Sequence, residues 1–215
     1  MNDEQLILAD DAVRQRKGRL MMLAIVAVFV APFFVLPLLM SPAKLGKTNK
    51  GTLIDPPVAF ASLQSADLDH HRLELPPRKK WALLYFWPAV CEGGCVEARN
   101  HALLALRQVS VALGRDSDRV QSLVLLTTEP SAELSTLLQK DFKSLVPLFA
   151  AQDAVDNAFA QALPGKASEA GDIYLMSPDG YIFIYYAPEA DEKRSLVRAD
   201  DLLSDLKKSL KGSRI

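Results

Sequence analysis

Cysteine occurs only twice in the 215 residues, at positions 91 and 95, with Glu92, Gly93 and Gly94 between them. A thiolate attacks disulfides and binds soft metals, so two thiols in one short loop can pass an electron pair or hold a soft ion. The glycines let the backbone curl and bring both sulfurs within bonding distance, although the spacing is one residue longer than in a C-x-x-C motif. A purely stabilising bridge would contribute little here, because closing so small a loop removes little entropy from the unfolded chain. No other cysteine is present to build a disulfide framework. The competing reading makes Cys91 and Cys95 small apolar residues packed near a strand end.

The flanking segments predict how the pair is held. Trp81 to Trp87 reads WALLYFW, a continuous apolar run of the kind found in a central strand covered on both faces. From Cys95 to Leu113, Val96, Leu103, Leu106, Val109 and Leu113 recur at roughly helical spacing, and Gly114 ends the helix. In an open α/β sheet reactive groups collect at the carboxyl ends of strands, and this loop lies there. Free N–H groups and the positive dipole end of the helix would favour a thiolate, while Glu92 and Glu97 oppose it, so moderate activation is expected.

The remaining elements follow from period and punctuation. Strands are expected at VAFASL (58–63), Val120 to Thr128, LVPLFA (145–150, an edge segment because of Pro147), Ile173 to Met176 and Tyr181 to Tyr186, with a short one at Arg72 to Leu75. Helices are expected after Ser131, with Leu134, Leu137 and Leu138 as the apolar stripe, at Asp153 to Leu163, and at Leu196 to Leu210. Ser177-Pro178-Asp179-Gly180 reads as a hairpin turn. This order predicts an α/β domain whose mixed sheet is flanked by helices.

Leu20 to Met40 carries no charge and is long enough to cross a bilayer, which predicts one N-terminal transmembrane helix. Its two prolines, Pro32 and Pro37, are tolerated in membrane helices, and the run exceeds a signal-peptide core and ends in MSPAKLG. Arg14, Arg16, Lys17 and Arg19 precede the span, so residues 1–19 form a cytoplasmic tail, 20–40 the helix, 41–56 a linker and 57–215 the folded domain outside the cytoplasm. In a bacterium that side of the inner membrane is the periplasm, where a disulfide can persist. The formal net charge of -1, with acids and bases interspersed, supplies no field for nucleic acid.

Taken together, the N-terminal span, the linker GTLIDPPV, WALLYFW ahead of C-x-x-x-C, LVLLTTEP and IYLMSPDG resemble the Sco family in the family's order. The resemblance covers most of residues 50 to 186. It implies a thioredoxin-like fold, membrane anchoring, and a thiol–disulfide or copper-handling role in assembly of cytochrome c oxidase, with an oxidase subunit or its assembly factors as partner. Cys91 and Cys95 match the family's redox and copper-binding cysteines, with Cys91, taken as the more exposed, attacking and Cys95 resolving the mixed disulfide. Two departures stand out. Glu92 replaces the proline that usually follows the first cysteine, and Glu169 in KASEAGD stands roughly where the family carries its copper-ligand histidine. The cysteines alone suit Cu(I) but not Cu(II), which prefers nitrogen and oxygen donors. His101 reads as an exposed helix residue, and His70 and His71 as a solvated loop pair whose alternative is a relocated ligand role. The second reading of function is an interaction module of the respiratory oxidase that kept the fold and lost the chemistry. A general periplasmic thioredoxin ranks last, because Gly171-Asp172 precedes Ile173 where such a protein carries a cis-proline.

Overall fold

The computed structural model describes residues 49–213 apart from 131, 165–167 and 190, together with scattered helical residues between Lys17 and Val30. Most of the expected 1–19 tail and 20–40 span lies outside the described residues; among those described, no helix is long and apolar enough to cross a membrane. The chain divides into two compact units, 1–48 and 49–215, and the second carries both cysteines.

Six strands of this second unit form one mixed sheet: β1 (Thr52–Ala59), β2 (Trp81–Trp87), β3 (Val120–Leu126), β4 (Leu145–Phe149), β5 (Ile173–Met176) and β6 (Tyr181–Tyr186). Their order is β1-β6-β5-β2-β3-β4, with β2, β3 and β4 parallel and β1, β6 and β5 running antiparallel to their neighbours. Helices α1 (Cys95–Ala112), α2 (Ala132–Lys140), α3 (Gln152–Phe159) and α4 (Glu192–Gly212) cover it.

β2 explains why its sequence is apolar without alternation. Successive side chains of a strand point to opposite faces. Leu83 and Tyr85 enter a core with Leu103, Leu106, Leu202 and Leu206 of α1 and α4. Ala82, Leu84 and Phe86 enter the opposite core with Leu63, Val155 and Phe159. Both faces are therefore dry, and every position from Ala82 to Phe86 is buried.

Both outer strands carry proline. Pro56 and Pro57 lie in β1, whose register against β6 shifts between Leu53 and Val58, and Pro147 lies in β4. A missing N–H costs least at a sheet edge, which accounts for these positions. The first strand thus begins at Thr52, ahead of the VAFASL expected, and Phe60–Leu63 turns as a 3-10 helix instead of extending. The stretch expected as a strand at Arg72 to Leu75 contributes one isolated bridge, Ala66 to Arg72. Ala66 also exchanges backbone hydrogen bonds with Phe149, so this segment lies along the outer side of β4. Helix α4 starts at Glu192 because the Asp191 side chain accepts the Lys193 N–H as an N-cap, a signal outside the apolar period that placed it at Leu196. Helix α3 ends at Phe159, short of the expected Leu163.

Candidate functional site

β2 delivers the chain to the cysteine loop. The Thr127 N–H donates to the Trp87 carbonyl at 3.3 Å, and the Ala89 N–H donates to Thr127 Oγ1 at 2.8 Å, so the carboxyl ends of β2 and β3 are stitched together where the loop departs. Gly93 sits at φ +64, a left-handed conformation that other residues rarely adopt, and this turns the chain back toward Cys95. Helix α1 then begins at Cys95, with Gly94 in the cap position and no side chain satisfying the first turn. Its first intrahelical bond runs from the Ala98 N–H to the Gly94 carbonyl, leaving the earlier amides directed toward the loop. Cys91 and Cys95 are joined by a disulfide, with Cα atoms 5.4 Å apart. Both cysteines are half-buried, so exposure does not single out Cys91 as expected, while Val90 beside them is 71% exposed.

A cleft of about 610 Å³ opens next to the disulfide. Cys95, Glu92, Thr127, Gln152, Ser168 and Glu169 are among its lining residues; Cys91 is not. Glu169, which the resemblance set in the place of a copper ligand, therefore borders the same cleft as Cys95. No histidine is among the described residues that line it. His101 is half-buried rather than exposed: its ring meets the Glu189 carbonyl at 3.2 Å, and its own carbonyl accepts the Ser195 hydroxyl at 2.9 Å. His70 and His71 are exposed, and Nδ1 of His71 lies 3.3 Å from the Asp67 carboxylate. Asp67, Asp69 and His71 bring ligand atoms within 4.8 Å of one another, but Asp67 already accepts the Asp69 and His71 N–H groups of its own turn.

Beside α1 the cleft is walled by the turn 169–172, and its anchoring is a feature the sequence does not announce. The Gly171 N–H donates to the Phe86 carbonyl at 3.4 Å, and the Phe86 N–H donates to the Asp172 carbonyl at 3.0 Å, fastening the turn to the end of β2. Gly171, at φ +92, leaves no room for a side chain, since a Cβ would lie 2.9 Å from the Ala98 carbonyl oxygen of α1. Beneath the turn the Asp172 side chain, 1% exposed, accepts three hydrogen bonds: the Glu169 N–H at 2.8 Å and the Tyr174 hydroxyl at 3.2 Å on Oδ2, and the Tyr185 hydroxyl at 3.0 Å on Oδ1. Burial pushes the Asp172 carboxyl up to about 6, against the pull of those three donors, and the Glu169 carboxylate adds to the rise. Burial likewise drives the Tyr174 and Tyr185 hydroxyls upward, reinforced by Asp172. Tyr174 in turn stacks on Phe159 of α3, with centroids 4.6 Å apart.

In the first turns of α1 the Arg99 guanidinium lies 4.0 Å from the Trp87 ring centroid, a cation–π contact between α1 and the end of β2. The Tyr85 hydroxyl donates to the Arg99 carbonyl at 3.2 Å, and the Tyr85 ring meets Trp87 edge-on at 6.0 Å. Desolvation holds the Tyr85 hydroxyl well above its usual range despite Arg99. A disulfide so placed can be attacked from solvent, and its reduced form could hold a soft cation between two sulfurs.

Among solved structures, the apo form of a Sco protein from Thermus thermophilus is 20% identical, covering 76% of this chain and 98% of its own at a TM-score of 0.47. A yeast Sco protein with copper bound is 22% identical, covering 75% of this chain and 95% of its own, TM-score 0.47. The thioredoxin domain of a thiol-disulfide oxidoreductase from Bacteroides vulgatus is 16% identical over 75% of this chain and 98% of its own, TM-score 0.44. No curated protein matches the sequence. The family described as transmembrane-like, thioredoxin-like, C-terminal domain matches residues 81–213, from the first residue of β2 through the end of α4. That span contains the cysteine loop, the cleft and the Asp172 turn, and the mixed sheet with helices on both faces is the α/β fold that the description names. The chain belongs to this thioredoxin-like family.

Proposed function

We propose that this protein is a membrane-tethered thiol–disulfide protein of the Sco type, serving assembly of cytochrome c oxidase and able to pass Cu(I). The observation that carries the redox part is the Cys91–Cys95 disulfide at the uncapped start of α1, edging a cleft large enough for a partner segment. In the reduced protein the Cys91 thiolate attacks a partner disulfide. One partner sulfur leaves as a thiolate and takes a proton. The Cys95 thiolate then attacks the Cys91 sulfur, forming the Cys91–Cys95 disulfide and releasing the partner as a dithiol. Two electrons pass to the partner, and a membrane-side dithiol reductant must return them.

Copper is cargo in this reading. Once reduced, Cys91 and Cys95 offer two soft sulfurs, which suit Cu(I). Among the described residues the cleft adds the carboxylates of Glu92 and Glu169 and the neutral oxygens of Thr127, Gln152 and Ser168, and no imidazole, a poor set for Cu(II). That donor set also favours the second reading, an interaction module of the oxidase without metal chemistry. One experiment separates the two. Full-length protein in detergent is alkylated before and after reduction and then titrated with Cu(I) and Cu(II). The proposal expects two labels to appear together on reduction, one Cu(I) per reduced chain lost in Cys91→Ser/Cys95→Ser, and weak Cu(II) binding that Glu169→His strengthens. Thiols that take no label after reduction would leave the interaction module standing.

A further inference from the structure

We propose that Asp172 is a positioning residue for thiol exchange at the Cys91–Cys95 disulfide, its carboxylate holding the 169–171 turn as the wall of the cleft against α1. This rests on the redox reading above. The turn borders the cleft on one side and is fixed in four ways: to Phe86 of β2 through the backbone of Gly171 and Asp172, to Ala98 of α1 by close packing of Gly171, across itself by the Asp172 N–H donating to the Glu169 carbonyl at 3.1 Å, and to the Asp172 side chain through the Glu169 N–H. The last is the only one that a proton can switch.

Three donors converge on two oxygens, and that arrangement calls for a carboxylate. The hydroxyls of Tyr174 and Tyr185 can rotate and accept instead of donating. The Glu169 N–H cannot. When Asp172 takes a proton, this amide is left with a neutral acceptor at best, and a neutral hydrogen bond is roughly half as strong as a charge-assisted one. Desolvation opposes the charge while the donors favour it, and the balance sits at about 6. The groups that face the carboxylate are the Glu169 carboxylate on the turn, the Tyr174 hydroxyl on β5 and the Tyr185 hydroxyl on β6, with Arg198 of α4 acting on Tyr185. From α3 the apolar Phe159 stacks on the Tyr174 ring. No ion pair to Asp172 occurs among the described residues, so no cation fixes it in the charged state.

The test measures reduction of the disulfide in the full-length protein by glutathione between pH 5 and 8, with each rate constant divided by the thiolate fraction of glutathione. The corrected constant is expected to rise about fivefold as pH climbs through a break near pH 6, the effect of one hydrogen bond to the wall strengthening by about 1 kcal/mol when Asp172 loses its proton. Asp172→Asn flattens the profile. Tyr185→Phe removes a donor that favours the carboxylate and moves the break to higher pH, which a merely structural role for the cluster would not do. If Asp172→Asn does not fold, the Tyr185→Phe shift decides alone. A disulfide that resists reduction at every pH would overturn the redox reading itself. Reduction that proceeds normally, with a break unmoved by Tyr185→Phe or retained in Asp172→Asn, would overturn the role of Asp172 and leave the redox reading intact.

Discussion

Asp172 and Asp205 are each 1% exposed and each accepts a tyrosine hydroxyl, yet their ionisation is displaced in opposite directions. At Asp205 burial alone would raise the carboxyl. The Gly51 N–H at 3.0 Å, the Lys208 ammonium at 3.0 Å, the Tyr186 hydroxyl at 2.9 Å and the Lys50 N–H at 2.7 Å outweigh it and hold the group below its ordinary value. Asp172 has one backbone N–H and two hydroxyls, but no ammonium, and the Glu169 carboxylate lies nearby. At Asp205 two backbone amides, a hydroxyl and an ammonium together outweigh desolvation; at Asp172 three neutral donors do not. The two sites also differ in what they hold. Asp205 ties the segment entering β1 to α4 far along the chain, whereas Asp172 fastens a turn three residues away that walls the cleft.

The largest effect expected from this contrast is at Asp205. Asp205→Ala strands two backbone amides and a buried hydroxyl, and should cost about 4 kcal/mol of stability in chemical denaturation. It should also expose the chain around Lys50 to proteolysis. A loss below about 1 kcal/mol would mean that water replaces the carboxylate and that the tie is dispensable.

Next in size is the opposite pH dependence. Asp172 has a folded value raised from 3.8 to about 6, so the folded state binds its proton more tightly than the unfolded chain does. Its contribution is fully present below about pH 4 and is lost as pH rises through about 6, by about 3 kcal/mol in all. Asp205, held low, contributes stability above its ordinary value of 3.8 that is lost as pH falls. Urea midpoints for wild type and Asp172→Asn at pH 4, 5, 6 and 7 should therefore converge or cross as pH rises, because only the wild type carries the declining term. Parallel curves would remove the distinction between the two aspartates.

The smallest effect compares two neighbouring tyrosines on β6. Tyr186→Phe and Tyr185→Phe each delete one hydroxyl donor, worth about 1 kcal/mol at pH 7. Tyr186→Phe should lower the midpoint without disturbing glutathione reduction of the disulfide. A change in that reduction equal to the one from Tyr185→Phe would show the two aspartate sites to be coupled.

The sequence makes β2, α1 and the cysteine loop legible because each announces itself within a few residues: a run dry on both faces, a helical period, two thiols around two glycines. It also made Glu169 worth watching, through a motif order that places it ahead of IYLMSPDG, and the fold sets it on the cleft with Cys95. The start of β1 was hidden because Pro56, Pro57 and the register shift erase the alternation that marks a strand. Asp172 was hidden for a different reason. A lone acid before a strand reads as a solvated turn, and only pairing of β5 with β6 brings Tyr185, thirteen positions away in sequence, over its carboxylate. His101 gave the same false impression of exposure, since its cover comes from the 189–195 segment rather than from α1.

The prolines of the two outer strands have a consequence for life at high local density. Chains confined to a membrane plane, as proposed, meet one another far more often than chains free in solution, and bare strand edges in such a crowd are templates for runaway sheet growth. Pro56 and Pro57 on one flank, and Pro147 together with the overlying Ala66 segment on the other, deny both flanks an uninterrupted row of donors and acceptors. Growth of the sheet by pairing with another chain is thereby disfavoured at both edges.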